Sequence, residues 1–143
     1  MWRGAVLRAI RGKRGQAFLR EMRDALDAMP VKRLVAHDLV TPDGECCAMG
    51  AVALKRGQDV SDIDETEPDE VAGAFNIAHA LAAEIAYKND ECGPVAWNPR
   101  TYGSVDCETP EERWKRMRDW VEKQIAQQPP SGGTPGKAGG REP

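Results

Sequence analysis

The clearest pattern along the chain is a helical spacing of apolar residues. Ala17, Phe18, Met22, Ala25, Leu26 and Met29 recur at three- and four-residue intervals, while Glu21, Asp24 and Asp27 fall on the other side. This predicts an amphipathic helix over about 16–29, stopped by Pro30. Leu34–Val40 is short, apolar and β-branched, and predicts a strand. Thr41-Pro42-Asp43-Gly44 then carries the residues of a type I turn, leading into a hairpin partner or a helix start. From Cys46 to Arg56 the chain is apolar nearly all round, which predicts a buried helix with Lys55 and Arg56 in its last turn and Gly57 as its stop. Gly50 inside that helix costs about 1 kcal/mol relative to alanine, so a close backbone approach is expected there.

A longer helix is predicted over about 68–88. Thr66 is placed as its cap, Pro68 in its first turn, and Val71, Ala74, Phe75, Ala78, Leu81, Ala82 and Ile85 as its apolar stripe. Asn89 follows as a left-handed terminator. Residues 92–108 have the prolines, glycine and polar groups of a loop. Thr109-Pro110-Glu111-Glu112 is a capping box that opens a last helix, with Trp114, Met117, Trp120, Val121 and Ile125 facing inward. The fold class expected is mainly α, a compact bundle of about four helices with at most one short β-hairpin.

Composition alters this picture at the ends. Of 143 residues 19 are alanine, whereas valine, isoleucine, leucine and phenylalanine total 24, so close helix packing must supply much of the core. Residues 129–143 contain nine Gly or Pro and are expected to stay disordered. The organisation expected is a basic N-terminal extension (1–14), one helical domain (15–127) and a Gly/Pro-rich tail (128–143). No apolar run approaches the ~20 residues of a bilayer span, and no secretory signal is recognisable, so a reducing cytosol with free thiols is expected.

Charge is uneven although the net is only −3. Arg3, Arg8, Arg11, Lys13, Arg14 and Arg20 lie in the first twenty residues without an acid. The segment 1–14 is able to form a short helix with Trp2, Val6 and Ile10 on one side, and such an arm is a solvated, unstructured extension, binds nucleic-acid phosphates or touches anionic lipid. Residues 59–70 hold seven acids and no base. Asp59, Asp62, Asp64, Glu65 and Glu67 therefore form either a solvated helix-entry loop or an acidic surface for a basic partner. A calcium loop is excluded because Glu67 and Gly73 stand where glycine and glutamate are needed.

Candidate catalytic chemistry is sparse. Cys47 precedes a helix, and with His79 and Asp90 it offers a nucleophile, a base and an orienting group. The simpler expectation is a packed cysteine and a boundary histidine. Cys46, Cys47, Cys92 and Cys107 with His37 and His79 show no zinc-ligand spacing, so no metal and no cofactor are expected. Trp97 and Tyr102, in the expected loop, are free to contact a partner, whereas Trp114 and Trp120 sit at core spacing.

Three segments together resemble a group of small bacteriophage and prophage proteins. They are Asp43-Gly44-Glu45-Cys46-Cys47-Ala48-Met49-Gly50-Ala51, Lys88-Asn89-Asp90-Glu91, and Glu111-Glu112-Arg113-Trp114 with Met117 and Trp120, preceded by Gly12–Glu21. The group carries no assigned activity, so the resemblance implies a setting, a phage accessory protein in a bacterial cytoplasm, and no site residues. The function expected is non-enzymatic binding of a bacterial or phage macromolecule, including inhibition of a host defence system. Asp59, Asp62, Asp64, Glu65, Glu67, Trp97 and Tyr102 are the candidate contacts. One alternative is a nucleic-acid-binding factor using Arg3, Arg8, Arg11, Lys13 and Arg14; another is a small cysteine–histidine enzyme or zinc protein.

Overall fold

The computed structural model describes residues 2–91, 97–98, 103–104 and 108–126. Its helices are α1 (Trp2–Arg11), α2 (Lys13–Ala28), α3 (Ala48–Arg56), α4 (Pro68–Phe75), α5 (His79–Asp90) and α6 (Pro110–Ala126). Two-residue strands, β1 (Trp97–Asn98) and β2 (Gly103–Ser104), pair antiparallel inside the segment expected as a loop. The protein is mainly helical, as expected, with six helices rather than four among the described residues.

α2 is the central helix. It packs on α6, α3 and α1, while α5 contacts α4, α1, α3 and α6. Phe18, Leu19, Met22, Ala25 and Leu26 of α2 are buried as the spacing requires, although Ala17 faces solvent. The Phe18 and Phe75 rings meet edge to face at 6.0 Å, with the Arg56 guanidinium 5.7 Å from each. The Trp114 indole N–H donates to the Leu26 carbonyl at 3.1 Å, tying α6 to the last turns of α2. The capping box of α6 is complete: the Thr109 amide donates to Glu112 Oε1 at 2.8 Å, and the Glu112 amide to Thr109 Oγ1 at 3.1 Å.

The structure corrects four local expectations. The N-terminal segment is no free extension, because Val6 and Ile10 of α1 are fully buried in the common core. The helix expected over 68–88 is two helices. Asn76 closes α4 in the left-handed region (φ 57°), and α5 restarts after Ala78. The break has a packing cause: Phe75 and Ile77 are both buried, yet residues two apart point in opposite directions on a straight helix. Thr66 does not cap α4; Glu67 holds that position, and the Thr66 hydroxyl donates to Asp64 at 2.6 Å.

Finally, 34–40 is no strand. His37 adopts φ 66°, which breaks the extended run, and only an isolated bridge joins Val40 to Cys46. Two hydrogen bonds across the resulting loop, from Val35 N–H to Cys46 O (2.9 Å) and Cys47 N–H to Leu39 O (3.1 Å), fold it back on the start of α3. The expected tail and the side chains of Trp97 and Tyr102 lie outside the described residues.

Candidate functional site

The segments 43–51, 88–91 and 111–114 each bring a residue (Ala48, Asp90 and Arg113) to the side chain or backbone of Asn89, which is 1% exposed. Its Oδ1 accepts the Ala48 amide at 3.1 Å, and its Nδ2 donates to the Val35 carbonyl at 2.9 Å and to Asp90 Oδ1 at 3.0 Å. Its own carbonyl accepts from Arg113 Nε at 2.9 Å and from Arg116 Nη2 at 3.2 Å. Arg116 also donates to the carbonyls of Lys88 and Glu91, and Glu108 pairs with both arginines. The exposed carbonyls at the end of α5 are thus satisfied by guanidinium donors, the role expected of a left-handed terminator. Asn89 instead remains helical and uses its side chain to clamp the 34–47 loop and the start of α3.

The same loop supplies His37. Its backbone N–H donates to Asp90 Oδ1 at 3.0 Å, and its Nδ1 lies 3.4 Å from Asp90 Oδ2. Hence Asp90 partners His37, while His79 lies 2.5 Å from Asp69 at the start of α5. The structure does not assemble Cys47, His79 and Asp90 as nucleophile, base and orienting group. Cys47 is the N-cap of α3, its sulfur accepting the Gly50 amide at 3.4 Å. Burial pushes its thiol up to about 12, and that of Cys46 up to about 11. Both thiols are protonated at neutral pH, the opposite of an activated nucleophile. Gly50 lacks a side chain for a definite reason: a Cβ there would lie 1.8 Å from the Leu39 carbonyl oxygen. This cluster is therefore a buttress for the loop, and the described residues contain no group of His, Cys, Asp and Glu able to hold a metal ion.

The acidic segment is largely occupied with its own turns. Asp59 accepts the Ser61 amide at 2.9 Å, Asp64 accepts the Thr66 amide at 2.9 Å, and the Asp64 amide donates to Glu70 at 3.2 Å. Those hydrogen bonds hold Asp59 and Asp64 below the usual carboxylate range. Burial, with Asp90 nearby, raises Glu65. Asp62 and Glu67 point to solvent. Of the basic residues, Arg3 is paired with Glu84 at 3.0 Å, while Arg8, Arg11, Lys13 and Arg14 are exposed around the α1–α2 corner.

One concave surface was not expected from the sequence. A groove of about 650 Å³ runs between the end of α2, α3 and the 43–46 turn. Ala25, Ala28 and Ala51 are among its lining residues, with Met29, Val31 and Leu54. Leu54, expected to be buried, is 51% exposed, and Val31 is 60% exposed. Arg33, Asp43, Glu45 and Lys55 give the groove charges of both signs. The signal was available only in part: the period of α3 places Leu54 beside Ala51 and away from the buried Val52, but which α2 residues line the same groove is a tertiary fact. Comparison with family models, with curated proteins and with solved structures finds no match to this chain.

Proposed function

We propose that the protein acts by binding a partner protein, seating an apolar helix face in the α2–α3 groove. The observation that carries this is the exposure of Leu54 and Val31 on an apolar trough large enough for several side chains. Leaving two large aliphatic side chains half in water costs roughly 1 kcal/mol or more each relative to burying them, so covering them drives association. Small alanine side chains in the lining let a second helix approach closely, and the mixed charges supply orienting contacts without opposing either sign. The buttress around Asn89 supports the same idea from the other side, because it spends the recurring residues on fixing the loop that forms one wall. Taken with the phage-protein resemblance, the partner is a bacterial or phage protein, a host defence component being one form of it.

The test is affinity capture from bacterial lysate with wild-type protein and with Leu54→Glu and Val31→Glu variants. Both positions are exposed, so the variants should fold. A partner retained by wild type and lost by both variants is the expected result. A partner retained equally by all three would place the contact elsewhere, and capture of nothing at all alongside a turnover activity would overturn the binding reading.

A further inference from the structure

We propose that the α1–α2 corner is a binding site for single-stranded nucleic acid, with a phosphate held between Arg8, Lys13 and Arg14 and a base stacked on Trp2. This site is separate from the apolar groove and does not depend on it. Docking of α1 turns what would be a loose basic arm into a fixed cationic cleft. A depression of about 200 Å³ is lined by Arg8, Lys13 and Arg14 together with Gly12, Gly15 and Ala78, and no carboxylate lines it. All three cations are exposed. Arg14 reaches only a neutral group, Asn76 Oδ1 at 3.4 Å, so its charge is uncompensated. Arg8 and Lys13 make no ion pair among the described residues, and Arg11 stands exposed beside them. Three unpaired cations around one concavity repel each other, and a phosphate relieves that repulsion while releasing counterions.

The second observation is aromatic. Trp2 is 48% exposed at the start of the same helix, six residues or about 9 Å along the axis from Arg8. Its ring meets His79 edge to face at 6.4 Å, and His79 adjoins Ala78 on the cleft wall. The indole is held in place but not covered, the arrangement that a base-stacking platform needs. The nearby acids are already engaged: Asp69 faces His79, and Glu84 is paired with Arg3. Arg3 therefore leaves the set of nucleic-acid contacts, and Arg8, Lys13 and Arg14 with Trp2 form it. A base accessible for stacking selects an unpaired strand over a duplex.

The experiment measures fluorescence anisotropy of a labelled thymidine oligonucleotide of about twelve residues with the full chain across a salt series. Three neutralised phosphates give a slope of log affinity on log salt of roughly −2 for a single strand. The double variant Arg8→Glu, Lys13→Glu should weaken binding by about tenfold or more and flatten that slope. Trp2→Ala should lose about tenfold and Trp2→Phe much less, because a phenyl ring still stacks. Lys55→Glu, on the groove, serves as the unchanged control. No binding at low salt, or affinity indifferent to the double charge reversal, would overturn the site. A duplex bound as tightly as the single strand, with Trp2→Ala silent, would overturn the stacking platform. Free phosphate or a mononucleotide competing as well as the oligomer would identify a small-molecule phosphate as the ligand and overturn the nucleic-acid assignment.

Discussion

Two polar regions of the protein contrast sharply: the centre around Asn89 and the corner around Arg8, Lys13 and Arg14. Around Asn89 both side-chain polar atoms and the backbone carbonyl have partners, and the cationic groups that approach it, Arg113 and Arg116, are both paired with Glu108. At the corner three cations surround a cleft that contains no acid. A buried polar group without a partner costs about 1–3 kcal/mol, so the centre is arranged to make a loop rigid. An exposed unpaired cation costs little in stability and is free to be used by a ligand. The residues most noticeable in the sequence thus hold the fold, and the ones that seem loosely placed are available for binding.

Substitution at the centre should break the contrast most strongly. Asn89→Ala leaves the Ala48 amide and the Val35 carbonyl without their partner, and an urea unfolding curve should show a loss of about 3 kcal/mol. A loss under about 1 kcal/mol would mean that water replaces the side chain and that the centre is not a buttress. Gly50→Ala forces a methyl group against the Leu39 carbonyl and Cys46, and should cost about 1–3 kcal/mol as α3 and the loop move apart. The same curve measured at Gly73→Ala, where a Cβ meets nothing within 4 Å, is the matching control and should not fall.

Arg3→Ala sharpens the comparison at the boundary between the regions. Glu84 is 3% exposed and Arg3 is its ion-pair partner, so removing the guanidinium should cost about 1–2 kcal/mol and loosen α1, seen as faster amide exchange at Val6 and Ile10. By contrast Arg8→Glu with Lys13→Glu should leave the unfolding midpoint almost unchanged, within about 0.5 kcal/mol.

The smallest effect is electrostatic. Arg56 holds Glu21, and Arg118 holds Asp27, below their ordinary values of 4.5 and 3.8. Because these carboxyls are depressed in the folded protein, their stabilisation is present at neutral pH and is lost as the pH falls below those values. Both pairs are partly exposed, so Glu21→Gln with Asp27→Asn should remove only about 0.5–1 kcal/mol of the acid-sensitive stability in a pH titration of unfolding. Glu65 has the opposite sign: its raised value makes the folded state tolerate its protonation first.

How much of this was legible in the chain follows from which interactions are local. The capping box at Thr109, the Gly57 stop of α3 and the apolar face of α2 depend on residues within two turns of one another, and each lies where its spacing put it. The break at Asn76 was hidden because Val71, Phe75, Ala78 and Ile85 fit one continuous stripe; the burial of Ile77, a tertiary fact, decides against it. Asn89 had a recognisable position but not its role, since its partners at Val35 and Ala48 are more than forty residues away. His37 as the partner of Asp90 was invisible for the same reason, and so was the groove, whose lining comes from the end of α2, the 43–46 turn and α3.

The central claim is that the Cys47–Asn89–Asp90 centre supports structure while exposed surfaces do the binding. The most direct measurement is the labelling rate of Cys47 by a neutral disulfide reagent in a Cys46→Ala, Cys92→Ser, Cys107→Ser variant, which leaves Cys47 as its one thiol, under native conditions. With the thiol buried and its titration pushed up to about 12, labelling should be limited by unfolding and should accelerate in step with added denaturant. Rapid labelling of Cys47 in the folded protein at neutral pH would contradict the account and return the centre to the status of a reactive site.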